Sequence, residues 1–220
     1  MWTLAFTSEP MELEMYIPSF NRIDDDGEIR RFVAAARSAE FVTVDPDGVP
    51  VATLLPIMWN DFTVVAHMAR ANPQWKAIGP DSPALLICSG PEAYISPSWY
   101  AAKAEHGKVV PTWNYSAVHL SGTVRVHENR EWLRDAVTRL TGVHEDVRSE
   151  PWHVSDAPER YIDGQLGGIV GLEITVTRVE GKAKLSQNRS EADRRGVVAG
   201  LLSEEHYEAP EVAAAMEPDL

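Results

Sequence analysis

Val118-His119-Leu120-Ser121-Gly122-Thr123-Val124-Arg125-Val126-His127 alternates apolar and polar side chains along its length. Val118, Leu120, Val124 and Val126 fall on one side, and His119, Ser121, Thr123, Arg125 and His127 on the other. Successive strand residues point to opposite faces, so the stretch reads as a half-buried antiparallel strand. A second stretch repeats the pattern, with Val170, Leu172, Ile174 and Val176 opposing Glu173, Thr175 and Thr177. Working outward, residues 41–44, the turn Asp45-Pro46-Asp47-Gly48 and residues 49–55 predict a β-hairpin, and residues 62–66 predict a strand after the Asn60-Asp61 turn. Helices are predicted from the Asp24–Asp26 acidic start to about Arg37, from about Asn129 to Leu140, and from Ser190, with Asp193 as capping-box partner. The pattern is mainly antiparallel β with α (α+β), a barrel decorated by helices.

The chain has 220 residues, 44% of them hydrophobic, which is enough to bury one substantial core. It contains no apolar run long enough to cross a membrane and no stretch resembling a secretory signal. Cys88 is the one cysteine, which excludes an internal disulfide; within Ala84-Leu85-Leu86-Ile87-Cys88 it reads as a buried small hydrophobe. A cytoplasmic location follows as the expectation. Residues 1–14 predict a loose extension, 15–205 the folded domain, and 206–220 an acidic, Ala-rich, mobile tail.

The formal net charge is −13, from 20 basic and 33 acidic residues. Such a field repels phosphate backbones, and no helix-turn-helix or zinc-finger signature is present, so direct DNA binding is disfavoured.

Four motifs concentrate aromatic and hydrogen-bonding residues. In Ala69-Arg70-Ala71-Asn72-Pro73-Gln74-Trp75-Lys76 the chain leaves a strand and enters a predicted helix near Asn72, with Pro73 in its first turn. Arg70 and Lys76 at such a start suit a phosphate, although a charged surface helix with Trp75 in the core fits the same residues. Ser96-Pro97-Ser98-Trp99-Tyr100 and Pro111-Thr112-Trp113-Asn114-Tyr115 each set a hydroxyl, a Trp and a Tyr beside a stiffening proline. They read either as walls of a preorganised pocket or as aromatic plugs of the barrel ends. Lys184-Leu185-Ser186-Gln187-Asn188-Arg189 is a polar loop rich in donors. Together the inventory suits a planar, polar-edged ligand carrying an anionic group.

Familiar catalytic patterns are missing. The chain has no G-x-G-x-x-G after a strand, no P-loop, no H-E-x-x-H and no G-x-S-x-G, and its histidines lack metal-ligand spacing. No catalytic residue and no metal site is predicted; any chemistry would be carried by a cofactor.

From Met15-Tyr16-Ile17-Pro18 to about Leu202, with A-N-P-Q-W-K, I-S-P-S-W-Y and P-T-W-N-Y in order, the chain resembles the PaiB-type FMN-binding proteins, the FMN-binding negative transcriptional regulator family. The resemblance implies a flavin-binding split barrel of about six strands with peripheral helices, and a homodimer with FMN at its interface. It places residues 51–55 along the isoalloxazine, with Thr53 and Leu54 in contact. Ala66 and His67 would lie near the ribityl chain, Arg70 and Lys76 would bind the phosphate, and Asn72 would be a further cofactor-binding residue. Trp99, Tyr100, Trp113 and Asn114 would line the flavin, and Lys184, Gln187 and Arg189 would complete the site. The functions implied are regulation, FMN-dependent oxidation or reduction of a small-molecule substrate, or haem-linked flavin chemistry.

Overall fold

The computed structural model describes residues 14–204 and 208–217. Strand β1 (Arg22–Ile23) and helix α1 (Asp26–Ala36) lead into β2 (Ser38–Val44), β3 (Pro50–Asn60) and β4 (Thr63–Ala69). A short 3-10 turn, Pro73–Ala77, precedes β5 (Ser82–Ile95), helix α2 (Ala102–His106) and β6 (Thr112–His127). Helices α3 (Arg130–Glu145) and α4 (Glu159–Gly167) connect to β7 (Ile169–Lys184), and α5 (Glu191–Ser203) and α6 (Ala209–Met216) follow. The strand order is β1-β7-β4-β3-β2-β5-β6, and a β6–β7 pairing closes strands β2 to β7 into a six-stranded antiparallel barrel. This is the α+β split-barrel architecture expected from the sequence.

Local chemistry sets the element ends. The Asp25 carboxylate accepts from the Glu28 N–H at 2.6 Å and starts α1, and Arg37 ends it in the left-handed region at φ 58°. Asn129 caps α3 through the Trp132 N–H at 3.0 Å. Ser190 caps α5 through the Asp193 N–H, but the Asp193 carboxylate accepts from Ala102 N–H at 2.9 Å, so it ties α2 to α5. At Asn72 the expected helix is a 3-10 turn, with the Asn72 side chain accepting from Gln74 N–H.

The barrel core contains Phe41, Leu86, Leu120, Leu172 and Ile174, all fully buried. Two bulges decide what lies beyond it. In β7, Thr177 is the extra residue opposite Ser121 and Gly122. A Cβ on Gly122 would come within 1.9 Å of the Thr175 carbonyl oxygen, so only glycine fits there. Before the bulge Val170 to Val176 point inward on even numbers; after it Val179, Gly181 and Ala183 do so, and Arg178, Glu180, Lys182 and Lys184 turn outward. A second bulge, at Gly90-Pro91 of β5, shifts Ala93 and Ile95 into another core.

That second core overturns one expectation. The residues from Glu208 read as a mobile acidic tail, yet α6 is packed against β5 and α5 with Ala209, Val212, Ala213 and Met216 buried. Its apolar positions recur at helical spacing between acidic residues, and the alanines hide that face in a composition count. The predicted extension of residues 1–14 lies, Glu14 apart, outside the described residues.

Candidate functional site

The barrel is split between β3 and β4. Their ladder runs from Asn60–Thr63 to Ile57–Ala66 and stops. The Ile57 N–H bonds the Arg37 carbonyl on the β2 side. Backbone groups alternate sides along a strand, so Pro56, Leu54 and Ala52 turn theirs toward β4. Pro56 has no N–H to continue the ladder. From there β4 pairs with β7, through His67–Gly171 and Ala69–Ile169, and β3 stays with β2. The result is an edge at Ala52 and Leu54 with no strand partner on that side among the described residues.

The 3-10 turn sits beside this edge, locked by Gln74. Its amide nitrogen donates to the Phe41 carbonyl, the Thr43 hydroxyl and the Val51 carbonyl at 3.0–3.2 Å. Its amide oxygen accepts from the Thr53 hydroxyl at 2.6 Å, and the Asn72 amide donates to the same hydroxyl at 3.0 Å. Gln74 is buried, and this network fixes the turn to the inner side of the hairpin. Lys76, at the end of the turn, is exposed, and its ammonium lies 5.9 Å from the Trp75 ring centroid.

Arg70 is used differently from what its motif suggests. Its Nε donates to the Gly167 carbonyl at 3.1 Å, Nη2 donates to the Ile169 carbonyl at 3.2 Å, and Nη1 pairs with Glu128. Two guanidinium nitrogens thus clamp the α4–β7 junction, and the third ties it to Glu128 just after β6. Ala66 is inside the barrel core. His67 points out of the barrel, level with Gly171, whose open face is covered by the Trp132 indole. On the other side of Gly171, His127 stacks on that indole at 4.1 Å and 4°. His67 Nδ1 is buried without a hydrogen-bond partner among the described residues, and burial pushes its pKa down.

The other motif residues gather at the far end of β7. Asn114 is fully buried; its amide donates to the Ser186 hydroxyl at 3.1 Å and to Met216 Sδ at 3.4 Å. Trp99 lies on Gly196 and Gly200 of α5. Tyr100 is buried, its hydroxyl without a partner among the described residues, and the Arg189 guanidinium covers its ring at 4.8 Å. Gln187 braces its own loop, accepting from Leu185 N–H at 2.7 Å and donating to the Ala183 carbonyl at 2.6 Å. Lys184 Nζ donates to the Thr112 hydroxyl and the Trp113 carbonyl. Burial, then Lys182 and Arg189, lowers its pKa. Trp113 stays half exposed, edge-on to Tyr94 at 6.2 Å.

Within one chain the four motifs therefore form two clusters. Register from Thr53 through Phe41, Leu86 and Leu120 reaches Val179, five residues short of Lys184 and about 16 Å away along the strand. Across the split, β4 meets β7 at Ile169, its opposite end. Sequence reasoning passed over Gln74, Pro56 and Lys182. The signal for the first two was a polar residue inside a turn motif and a proline inside a strand.

Comparisons with known proteins give the family and the fold. Residues 15–178 match the family described as a putative FMN-binding domain. The chain is 35% identical over 210 residues to the protease synthase and sporulation protein PAI 2 of Bacillus subtilis, covering 94% of this chain and 98% of that one. Among solved structures, the FAD and heme binding protein from Mycobacterium smegmatis superposes with a TM-score of 0.58 at 16% identity, covering 82% of this chain and 80% of that one. The flavocytochrome from Azotobacter vinelandii gives 0.56 at 15% identity, over 86% and 80%. These two likenesses concern the fold. No helix among the described residues is long and apolar enough to cross a membrane. By its family match and its relative over nearly full length, the chain belongs to the PaiB-type putative FMN-binding domain family, built on the flavin-binding split barrel.

Proposed function

We propose that the protein is an FMN-binding flavoprotein of the cytoplasm, working as a homodimer with one FMN at each of two equivalent sites between its chains. The observation that carries this reading is the unpaired edge of β3 at Ala52 and Leu54, set beside the Gln74-locked turn. A planar ring with donors and acceptors on its rim is matched by such an edge, as an added strand would be. Thr53 and Asn72 supply side-chain hydrogen bonds there. Lys76 is exposed and has no carboxylate partner among the described residues, which suits the phosphate. Arg70, held by three protein groups, positions the α4–β7 junction behind it.

The second chain supplies the other wall. Trp113, Lys184 and Arg189 present an aromatic face and two cations, with Trp99, Tyr100, Asn114 and Gln187 holding them from behind. Because these residues and Thr53 lie apart in one chain, a shared site supports the dimer. So does the outer barrel wall, where exposed Val44 adjoins an open groove of about 800 Å³ lined by Val42, Pro50 and Pro83.

Flavin supplies redox chemistry when bound; the protein supplies orientation and electrostatics. The −13 net charge and the exposed Tyr94–Trp113 pair favour a small-molecule oxidoreductase over a DNA-bound regulator.

The test is complementation between chains. Lys76→Ala and Trp113→Ala disable opposite walls, so neither variant alone retains FMN. Mixed and reassembled, they recover about one quarter of the wild-type flavin, because half the dimers are mixed and each has one intact site. Dimers that exchange chains without recovering flavin contradict a shared site.

A further inference from the structure

The Thr177 bulge turns Lys182 and Lys184 to the same outward face of β7, with Cα atoms about 7 Å apart. Lys182 is 7% exposed. Its ammonium donates to the Tyr16 carbonyl at 2.9 Å and lies 5.2 Å from the Tyr115 ring centroid and 5.8 Å from that of Tyr16. No carboxylate pairs with Lys182, Lys184 or Arg189 among the described residues. The nearest acid along the strand, Glu180, pairs with Arg178 at 3.5 Å and accepts from Met15 N–H at 2.8 Å. A buried ammonium without a counter-charge is costly, and in an acidic protein it is conspicuous. The groups around it are those that recognise an aromatic acid: two ammonium groups on one face of β7, the Thr112 hydroxyl, and the rings of Tyr115 and Trp113.

We infer that Lys182 and Lys184, walled by Tyr115 and Trp113, form a subsite for the oxyanion of a small aromatic substrate, a carboxylate or phosphate ester. This subsite is separate from the phosphate end of the flavin at Lys76. The oxyanion takes the donors of Lys182 that the Tyr16 carbonyl leaves over, and restores charge balance at the far end of β7. Only the use of the anion rests on the flavin reading; the subsite shares Lys184 and Trp113 with the wall proposed for the flavin, while Lys182 and Tyr115 belong to it alone.

The experiment is thermal unfolding of the wild type and of Lys182→Met, FMN-saturated and FMN-free, in phenyl phosphate against chloride at equal ionic strength. FMN content is measured alongside. Wild type gains Tm with phenyl phosphate in both forms. In Lys182→Met half-saturation moves at least about tenfold higher, Tm in chloride equals or exceeds that of wild type, and FMN content is unchanged. Equal gains in both proteins, or no gain in wild type, overturn the subsite. Loss of FMN from Lys182→Met overturns its separation from the flavin's own phosphate. An anion effect in a protein that never takes up flavin leaves the subsite standing and removes the flavin reading instead.

Discussion

The indole of Trp99 lies directly on Gly200 of α5: a Cβ there would come within 2.2 Å of Trp99 Cδ2. One helix later, α6 closes the same core, so the Ser96–Tyr100 loop is seated by a bare patch of helix. Pro97 and the Ser96 hydroxyl, which accepts from the Ser98 N–H, stiffen the loop; the glycine lets it dock.

Gly200→Ala therefore overpacks the second core and unseats Trp99. We expect a loss of about 1–3 kcal/mol in chemical unfolding, more than the propensity gain of alanine in a helix returns. A variant as stable as wild type, with unchanged tryptophan fluorescence, would sink this account of the loop.

Gln74→Leu keeps the size of the side chain and removes four hydrogen bonds from a buried site. The Phe41 and Val51 carbonyls retain their ladder roles, but the Thr53 and Thr43 hydroxyls lose partners. Stability should fall by about 1–3 kcal/mol, and FMN affinity should fall with it because the turn holding Lys76 loosens. Affinity maintained at wild-type level would show that the turn is held by other means.

Arg70 and Lys76 should separate by assay. Lys76→Ala should weaken FMN binding about tenfold or more while leaving the stability of the flavin-free protein within about 0.5 kcal/mol. Arg70→Ala should cost about 1–2 kcal/mol of stability by releasing the Gly167 and Ile169 carbonyls. Fluorescence titration with FMN and urea unfolding measure the two effects; the reverse assignment would make Arg70 the phosphate ligand.

His67 gives the protein an acid limit. Burial holds its pKa below the ordinary value of 6.5, so the unfolded chain binds the proton more readily than the folded one. The stability it contributes is complete above 6.5 and is lost as pH falls toward the folded value. His67→Leu should flatten the acid side of the stability profile by up to about 1.4 kcal/mol per pH unit. An unchanged profile would mean that His67 is already solvated when folded.

How far the sequence reaches is visible in β7. Alternation from Val170 to Val176 reads directly as a strand, and its inward face is the one observed. Beyond Thr177 the parity reverses, and nothing local announces it: the cause is Gly122, on another strand. Lys182 was invisible as a site residue for that reason. Leu54 and Thr53 show the same limit, since neighbours in a strand face opposite ways and only the split at Pro56 gives them a common edge. The motifs are legible in the sequence; their partition into two ends of the barrel is a matter of topology.

The central claim is that this chain binds FMN, and the flavin content of the purified protein tests it most directly. After saturation with FMN and removal of the excess, the protein should be yellow and hold one FMN per chain, released on denaturation and identified by mass. A colourless protein that takes up no FMN at saturating concentration contradicts the account.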